Sequence, residues 1–528
     1  MYNVAIVGGG LSGLATALLL QSKGLSTLLL ESHSRLGGCA GFYPRNGFSF
    51  DIGATTLVDF HEEGLGGHFL RDVGLPPLQG EFLPGYLAWL PDRTIEVARD
   101  SSTWSRERMN QLGSSRRHAQ FWDLLDRLAN AFWPASRRGL KMPMRGLADL
   151  RQNWQALDLA SLPLARYLGW SMGDALDHFQ LGKEQALVGL LSMMIEDTVH
   201  AQVRSAPLIN AALGISIRGA GLARPIGGMR GFLRSLTARY IEIGGTIKLR
   251  TPVSNIDGKL GAFSLRTKRH IYSASQVVCA LPIQATRQLA PNCVGPDLDR
   301  YIERDESALG GGLVLCLGVP ESEVQPDHRG HRHHQLLQSY EQPLGNGNNM
   351  FISVSAPDDF LSAPQGSRSV MISTHCALQE WNHLNPADYL RAKQLATNKL
   401  LGFARRVYPN LGAGARVIEL GTPRTYEKFA GRPLGAIGGA RLSMKNSNQN
   451  AVPYDLCKPG LWLAGDTTWP GLGTVASILG ARHVTEGALV LSRKISARHN
   501  LQLSERAPRP QNDTPNMTTP RSCKLFRL

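Results

Sequence analysis

The chain has 528 residues, too long for one ordinary hydrophobic core, so two intertwined domains are expected. Its 57 basic and 42 acidic side chains give a formal charge of +15, which invites an anionic partner. No zinc-ligand spacing, helix-turn-helix or RNA-binding signature accompanies that charge, which sets nucleic acid aside, and no apolar run approaches the roughly 18 residues of a membrane-spanning helix.

Val4 to Val7 is almost wholly apolar, as a central parallel strand buried on both faces should be. Gly8, Gly10 and Gly13 follow as G-x-G-x-x-G, with Leu11 and Ser12 inside the motif. The first glycine permits a tight turn, the second lets the backbone approach a pyrophosphate, and the third lets the next helix pack close to the strand. That helix is expected over Leu11–Leu20, with Lys23-Gly24 as its end. A second strand is expected over Leu25–Leu30. Glu31 stands at its C-terminal edge, about 20 residues beyond the glycines, where a carboxylate can accept hydrogen bonds from ribose hydroxyls. Three glycines alone are weak evidence; strand, glycines, helix, strand and Glu in order point to a dinucleotide with an unphosphorylated ribose.

Ser32 and then Arg35-Leu-Gly-Gly38 follow, and Gly47-Phe-Ser-Phe-Asp-Ile-Gly-Ala54 comes after a short interval. This arrangement resembles the FAD-binding start of the amine oxidase and carotenoid desaturase superfamily, where the first motif continues as Glu, three residues, Arg and a glycine pair. The resemblance implies tightly bound FAD with its diphosphate over the first helix N-terminus. It adds Ser32, Arg35, Gly37 and Gly38 to the cofactor-binding residues Gly8, Gly10, Leu11, Ser12, Gly13 and Glu31.

Tyr86–Leu90 and Thr94–Val97 read as a hairpin turned at Pro91-Asp92. Residues 101–153 look helical and basic, with Arg106, Arg108, Arg116 and Arg117 among Trp104, Phe121, Trp122, Phe132 and Trp133. Two outcomes are open: a helix packed on the core with solvated arginines, or a monotopic helix on an anionic bilayer, Trp and Phe down and Arg outward. Residues 155–219 form a second helical stretch whose Leu187, Leu190, Leu191, Met194 and Ile195 are core residues by composition. The resemblance makes them candidates for lining a substrate cavity.

Pro225-Ile-Gly-Gly-Met229 resembles the family segment that returns to the nucleotide fold and reaches the flavin side. A strand, turn and strand follow over 244–256, and Val253 matches the family position whose backbone meets the adenine end. Strands are expected over 263–267, 271–281, 312–318, 350–355 and 369–374, and an amphipathic helix over Asp388–Tyr408. His331, His333 and His334 read as a solvated loop; no carboxylate or cysteine pattern accompanies them, and no metal site is expected.

Leu461–Ala464 reads as a buried strand ended by Gly465-Asp466, and Gly471 and Gly473 open a helix at Thr474 and Val475. This resembles the family's C-terminal FAD segment. The resemblance implies that Asp466 bonds the diphosphate–ribityl region, that Gly465, Gly473, Thr474 and Val475 join the site, and that the helix N-terminus faces the flavin pyrimidine.

The expected fold is therefore α/β, a Rossmann-type FAD-binding domain (1–75, 221–290 and 455–497) with an inserted α+β substrate domain. The insert divides into a helical, basic part (76–220) and a strand-rich part (291–454), and the polar, proline-containing residues 498–528 read as a disordered tail. The motif endings look more like carotenoid desaturases and isomerases than amine oxidases. They imply an FAD-dependent oxidoreductase acting on CH–CH groups of a long apolar polyene, a phytoene desaturase-like enzyme of carotenoid biosynthesis. A carotenoid cis–trans isomerase and a flavin amine oxidase are the alternatives, and a flavin-stabilised lipid carrier without turnover is a third. A long apolar tunnel is expected for a polyene, a compact polar pocket for an amine. Because the flavin does the hard step, no catalytic residue is legible. Seven scattered cysteines without C-x-x-C, and motifs that begin beside Met1, predict a cytoplasmic protein without a cleavable signal peptide, with peripheral contact to an anionic membrane.

Overall fold

Val4 to Val7 are all buried in the strand Tyr2–Val7, which pairs in parallel with Thr27–Leu30 on one side and Ile271–Cys279 on the other. Parallel pairing on both flanks is why these residues are apolar without alternation. The computed structural model describes residues 1–216, 220–326 and 330–506. Thr246–Lys248 extends the parallel sheet beyond Thr27–Leu30, and Leu461–Leu463 joins it through Val277, bringing the C-terminal segment beside the first motif. Val253–Lys259 and Ala262–Thr267 add an antiparallel flap on the N-terminal half of Ile271–Cys279. The helices Leu11–Ser22, Gly228–Glu242 and Thr474–Arg506 share one apolar cluster with this sheet. The last of these runs to Arg506, past the 498 boundary expected for a structureless tail; the rest of that tail lies outside the described residues.

A second seven-stranded sheet runs in the order Val417–Gly421, Gly311–Pro320, Ser367–Cys376, Asn349–Val354, His333–Leu337, Gly85–Trp89, Thr94–Ala98. The predicted hairpin is its last pair. The pairing is antiparallel except where His333–Leu337 meets Gly85–Trp89. This corrects the loop reading of the histidines. His333 and His334 lie in a fully buried strand, and His331 just before it is also buried. His334 Nε2 pairs with the Tyr408 hydroxyl at 2.9 Å, and His331 Nε2 lies 3.3 Å from Glu96. Two neighbouring strands supply the burial that this polar segment does not advertise.

The basic stretch divides. Trp104, Phe121, Trp122 and Phe132, on the helices Ser101–Leu112 and Arg116–Arg137, are at most 6% exposed and belong to the helical core. The bilayer-facing reading of these aromatics is therefore wrong; Arg108 is buried against Trp122 and paired with Asp126 at 2.9 Å. Helix Leu147–Ala156 differs, with Leu147, Leu150 and Trp154 86%, 54% and 60% exposed. Spacings of three and four place them on one face. Among the described residues no helix is long and apolar enough to cross a membrane.

Candidate active site

A cavity of about 960 Å³ lies between the nucleotide sheet and the second sheet. The three motif glycines take different jobs around it. Gly8 has φ +104, and a Cβ there would meet the Ala280 carbonyl oxygen at 2.4 Å. Gly13 lets the helix close on the strand, since its Cβ would sit 2.0 Å from Gly8 O. Gly10 has an ordinary φ of −66, and a Cβ there would touch no protein atom within 4 Å. Its missing side chain leaves space in the cavity wall rather than relieving a clash. Gly465, Gly471 and Gly473 are open in the same sense, although their φ values of 123, 108 and 109 also favour glycine.

Glu31 projects from the end of Thr27–Leu30. Its Oε2 accepts from Gly9 N at 2.6 Å and its Oε1 from His33 N at 2.7 Å. Two backbone amides thus fix the carboxylate in the wall. Gly37 N donates to Gly9 O at 2.8 Å and ties the second glycine pair to the first motif. Asp466 forms a two-pronged pair with Arg432, at 3.0 and 2.9 Å. Burial opposes the Arg432 charge, but the Asp466 carboxylate and the nearby Cys39 together outweigh it and hold the guanidinium above its ordinary value. Thr474 Oγ1 accepts from Val58 N at 3.4 Å at the start of the C-terminal helix, whose unpaired first-turn amides give this wall a positive end.

Of the residues marked from sequence, Gly8, Gly10, Leu11, Ser12, Glu31, Ser32, Arg35, Gly37, Gly38, Val253, Gly465, Asp466, Gly473 and Thr474 line the cavity. Gly13 stands behind it in the strand–helix contact, and Val475 packs against the apolar clusters. Sequence reasoning missed Arg432, whose role depends on a contact with Asp466 that no local motif announces. It also missed Tyr426, which donates to the Ile52 carbonyl across the cavity wall. Leu313, Val314 and Ile437 give the second-sheet wall apolar surface, while Asp197, His200 and His375 make part of it polar. The cavity is therefore neither wholly an apolar tunnel nor a compact polar pocket.

An open glycine cradle, a carboxylate at the second strand edge and a helix N-terminus at the far motif together suit an extended dinucleotide whose reactive ring meets a second domain. That combination defines a flavin-dependent oxidoreductase. The family model for flavin containing amine oxidoreductases matches residues 11–411, and the chain belongs to this family, an FAD-dependent enzyme on the α/β scaffold described above. A chloroplastic prolycopene isomerase from Daucus carota is 25% identical over 498 residues, covering 90% of this chain and 78% of that protein. A lycopene-forming phytoene desaturase from Pantoea ananas is 24% identical over 517 residues, covering 93% and 99%. Among solved structures, cyclohexylamine oxidase from Brevibacterium oxydans superposes with a TM-score of 0.60 at 14% identity, covering 94% of this chain and 99% of that one.

Proposed function

We propose that this enzyme desaturates a long isoprenoid polyene of the carotenoid class at a CH–CH unit. The observation that carries this reading is the likeness, along at least nine-tenths of the chain, to two enzymes named for carotenoid substrates. FAD when bound supplies the two-electron acceptor. In this reading Gly8, Gly10, Leu11, Ser12, Gly37 and Gly38 cradle its diphosphate, with Ser32 and Arg35 beside them, and Glu31 holds the ribose. Val253 meets the adenine. Asp466, oriented by Arg432, would bond the flavin side chain, while Gly465, Gly473 and Thr474 would leave room for the ring system and aim helix amides at it. The second sheet closes the cavity from the other side, holding the reacting carbons in place and excluding water.

Isomerisation of a polyene is the second reading, favoured by the likeness to the carrot isomerase. Expression in a carotenoid-producing host, with chromatography of the pigments, separates the two. Desaturation lengthens the conjugated chain, whereas isomerisation changes geometry at constant composition. An unchanged pigment profile with FAD-loaded protein present would refute both.

We also propose a cytoplasmic protein that docks peripherally on the bilayer where such a substrate dissolves. Leu147, Leu150 and Trp154 would enter the interface, with Arg151 beside them to meet anionic headgroups.

A further inference from the structure

The second-sheet wall carries polar side chains that a plain hydrocarbon would leave idle. His200 closes the helix Gln185–Val199 in the left-handed conformation, at φ 52. It is only 2% exposed, and neither ring nitrogen has a hydrogen-bond partner. The Gly438 backbone lies beside the ring without reaching hydrogen-bond geometry. The His200 ring stacks on that of His375, centroids 5.1 Å apart and planes at 18°. Both histidines line the cavity together with Asp197.

The Glu196 carboxylate beside the pair is already committed. Glu196 Oε2 accepts from Asn349 Nδ2 at 2.9 Å, with Arg441 3.7 Å and His375 Nδ1 3.8 Å from its carboxylate. Asp197 accepts from Gln335 Nε2 at 3.1 Å. Asp197 lines the cavity, and desolvation pushes its carboxyl above the usual range. Burial, with the charges of His375 and Arg441 adding to it, holds His200 well below its ordinary value and therefore neutral. A neutral imidazole offers one donor and one acceptor, the pairing that a hydroxyl satisfies. An ammonium group placed at the histidine pair would meet the Arg441 guanidinium close by, with Glu196 already shared among Asn349, Arg441 and His375.

We propose that His200 and His375 bind a hydroxyl group on the substrate, which makes the substrate an oxygenated isoprenoid and not a plain hydrocarbon. This rests on the isoprenoid reading above. Leaving a buried donor or acceptor unpaired costs on the order of tenfold in binding, which a hydroxyl would recover. The test uses the FAD-loaded protein in detergent micelles and titrates three probes: lycopene, a derivative of the same chain with a terminal hydroxyl, and cyclohexylamine. Binding is read from quenching of protein fluorescence. The wild type should bind the hydroxylated chain about tenfold more tightly than lycopene. His375→Leu, at an ordinary strand position, should abolish that preference by weakening the hydroxylated chain alone. His200→Gly, which keeps the left-handed backbone, should do the same; if it does not retain FAD, His375→Leu decides. Equal wild-type affinity for the two polyenes, or an equal effect of His375→Leu on both, would overturn the hydroxyl site while leaving the polyene reading intact. Binding of the amine and of neither polyene would overturn both.

Discussion

The two glycines that flank Leu11-Ser12 should respond in opposite ways to one added methyl group. At Gly10 the backbone is ordinary and the methyl would meet no protein atom within 4 Å. Gly10→Ala should therefore leave the apoprotein as stable as the parent, or about 0.4–1 kcal/mol more stable through the unfolded chain. The same methyl projects into the space assigned to the pyrophosphate. Overpacking there by one methyl should cost about 1–3 kcal/mol, a roughly 5- to 150-fold loss of FAD affinity. At Gly13 the methyl would lie 2.0 Å from Gly8 O and 2.9 Å from the Ala280 Cβ, so Gly13→Ala should destabilise the fold itself. On a chain of this size 1 kcal/mol moves the melting temperature by only about 1 °C, which makes urea unfolding of flavin-stripped protein the better readout. FAD titration followed by flavin fluorescence gives the affinity. Gly10→Ala protein that retains FAD like the parent through extended dialysis would refute the cradle, and an unperturbed Gly13→Ala apoprotein would refute the packing role.

Glu31→Ala removes a charged acceptor that also holds Gly9 N and His33 N, and should weaken FAD by about 1.5–3 kcal/mol in the same titration. Arg432→Leu leaves Asp466 without its partner in the cavity wall and should cost about 3–5 kcal/mol in urea unfolding; replacing both residues by leucine should cost less than Arg432→Leu alone. Combined Leu147→Ala and Trp154→Ala should reduce flotation with anionic liposomes, by on the order of 2 kcal/mol of binding, while raised salt weakens the parent; flotation unchanged by either would remove the membrane face. Burial holds His483 down to about 4, against 6.5 for a free histidine. Between those values the unfolded chain takes up a proton that the folded chain refuses. Stability should therefore fall by on the order of 3 kcal/mol as pH drops from 6.5 to 4, and His483→Gln should flatten that limb of urea midpoint against pH.

The nucleotide half was legible because its chemistry is local. A turn, a close helix contact and an open cradle each demand glycine at a fixed place, and Gly8, Gly10 and Gly13 meet the three demands separately. Glu31 followed from the strand that ends just before it. The second half was legible only in outline. Its hairpin and three of its strands read correctly, but the run His333–Leu337 looks polar and became a buried strand through neighbours at 85–89 and 349–354. The aromatics at 104–132 gave a correct helical period without saying what covered their apolar face. Arg432 meets Asp466 across 34 residues, and His200 meets His375 across a helix end and a strand end, so neither pair leaves a spacing to read.

The central claim is that a polyene, and not an amine, is the substrate that reacts at the FAD of this chain. Anaerobic mixing of the FAD-loaded protein with carotene precursors in liposomes, followed at the long-wavelength flavin band, tests it directly. Desaturation predicts bleaching of the oxidised band together with a more conjugated product, and isomerisation predicts a product only after prior reduction, with no net bleaching. Bleaching by cyclohexylamine and by no isoprenoid would contradict the account.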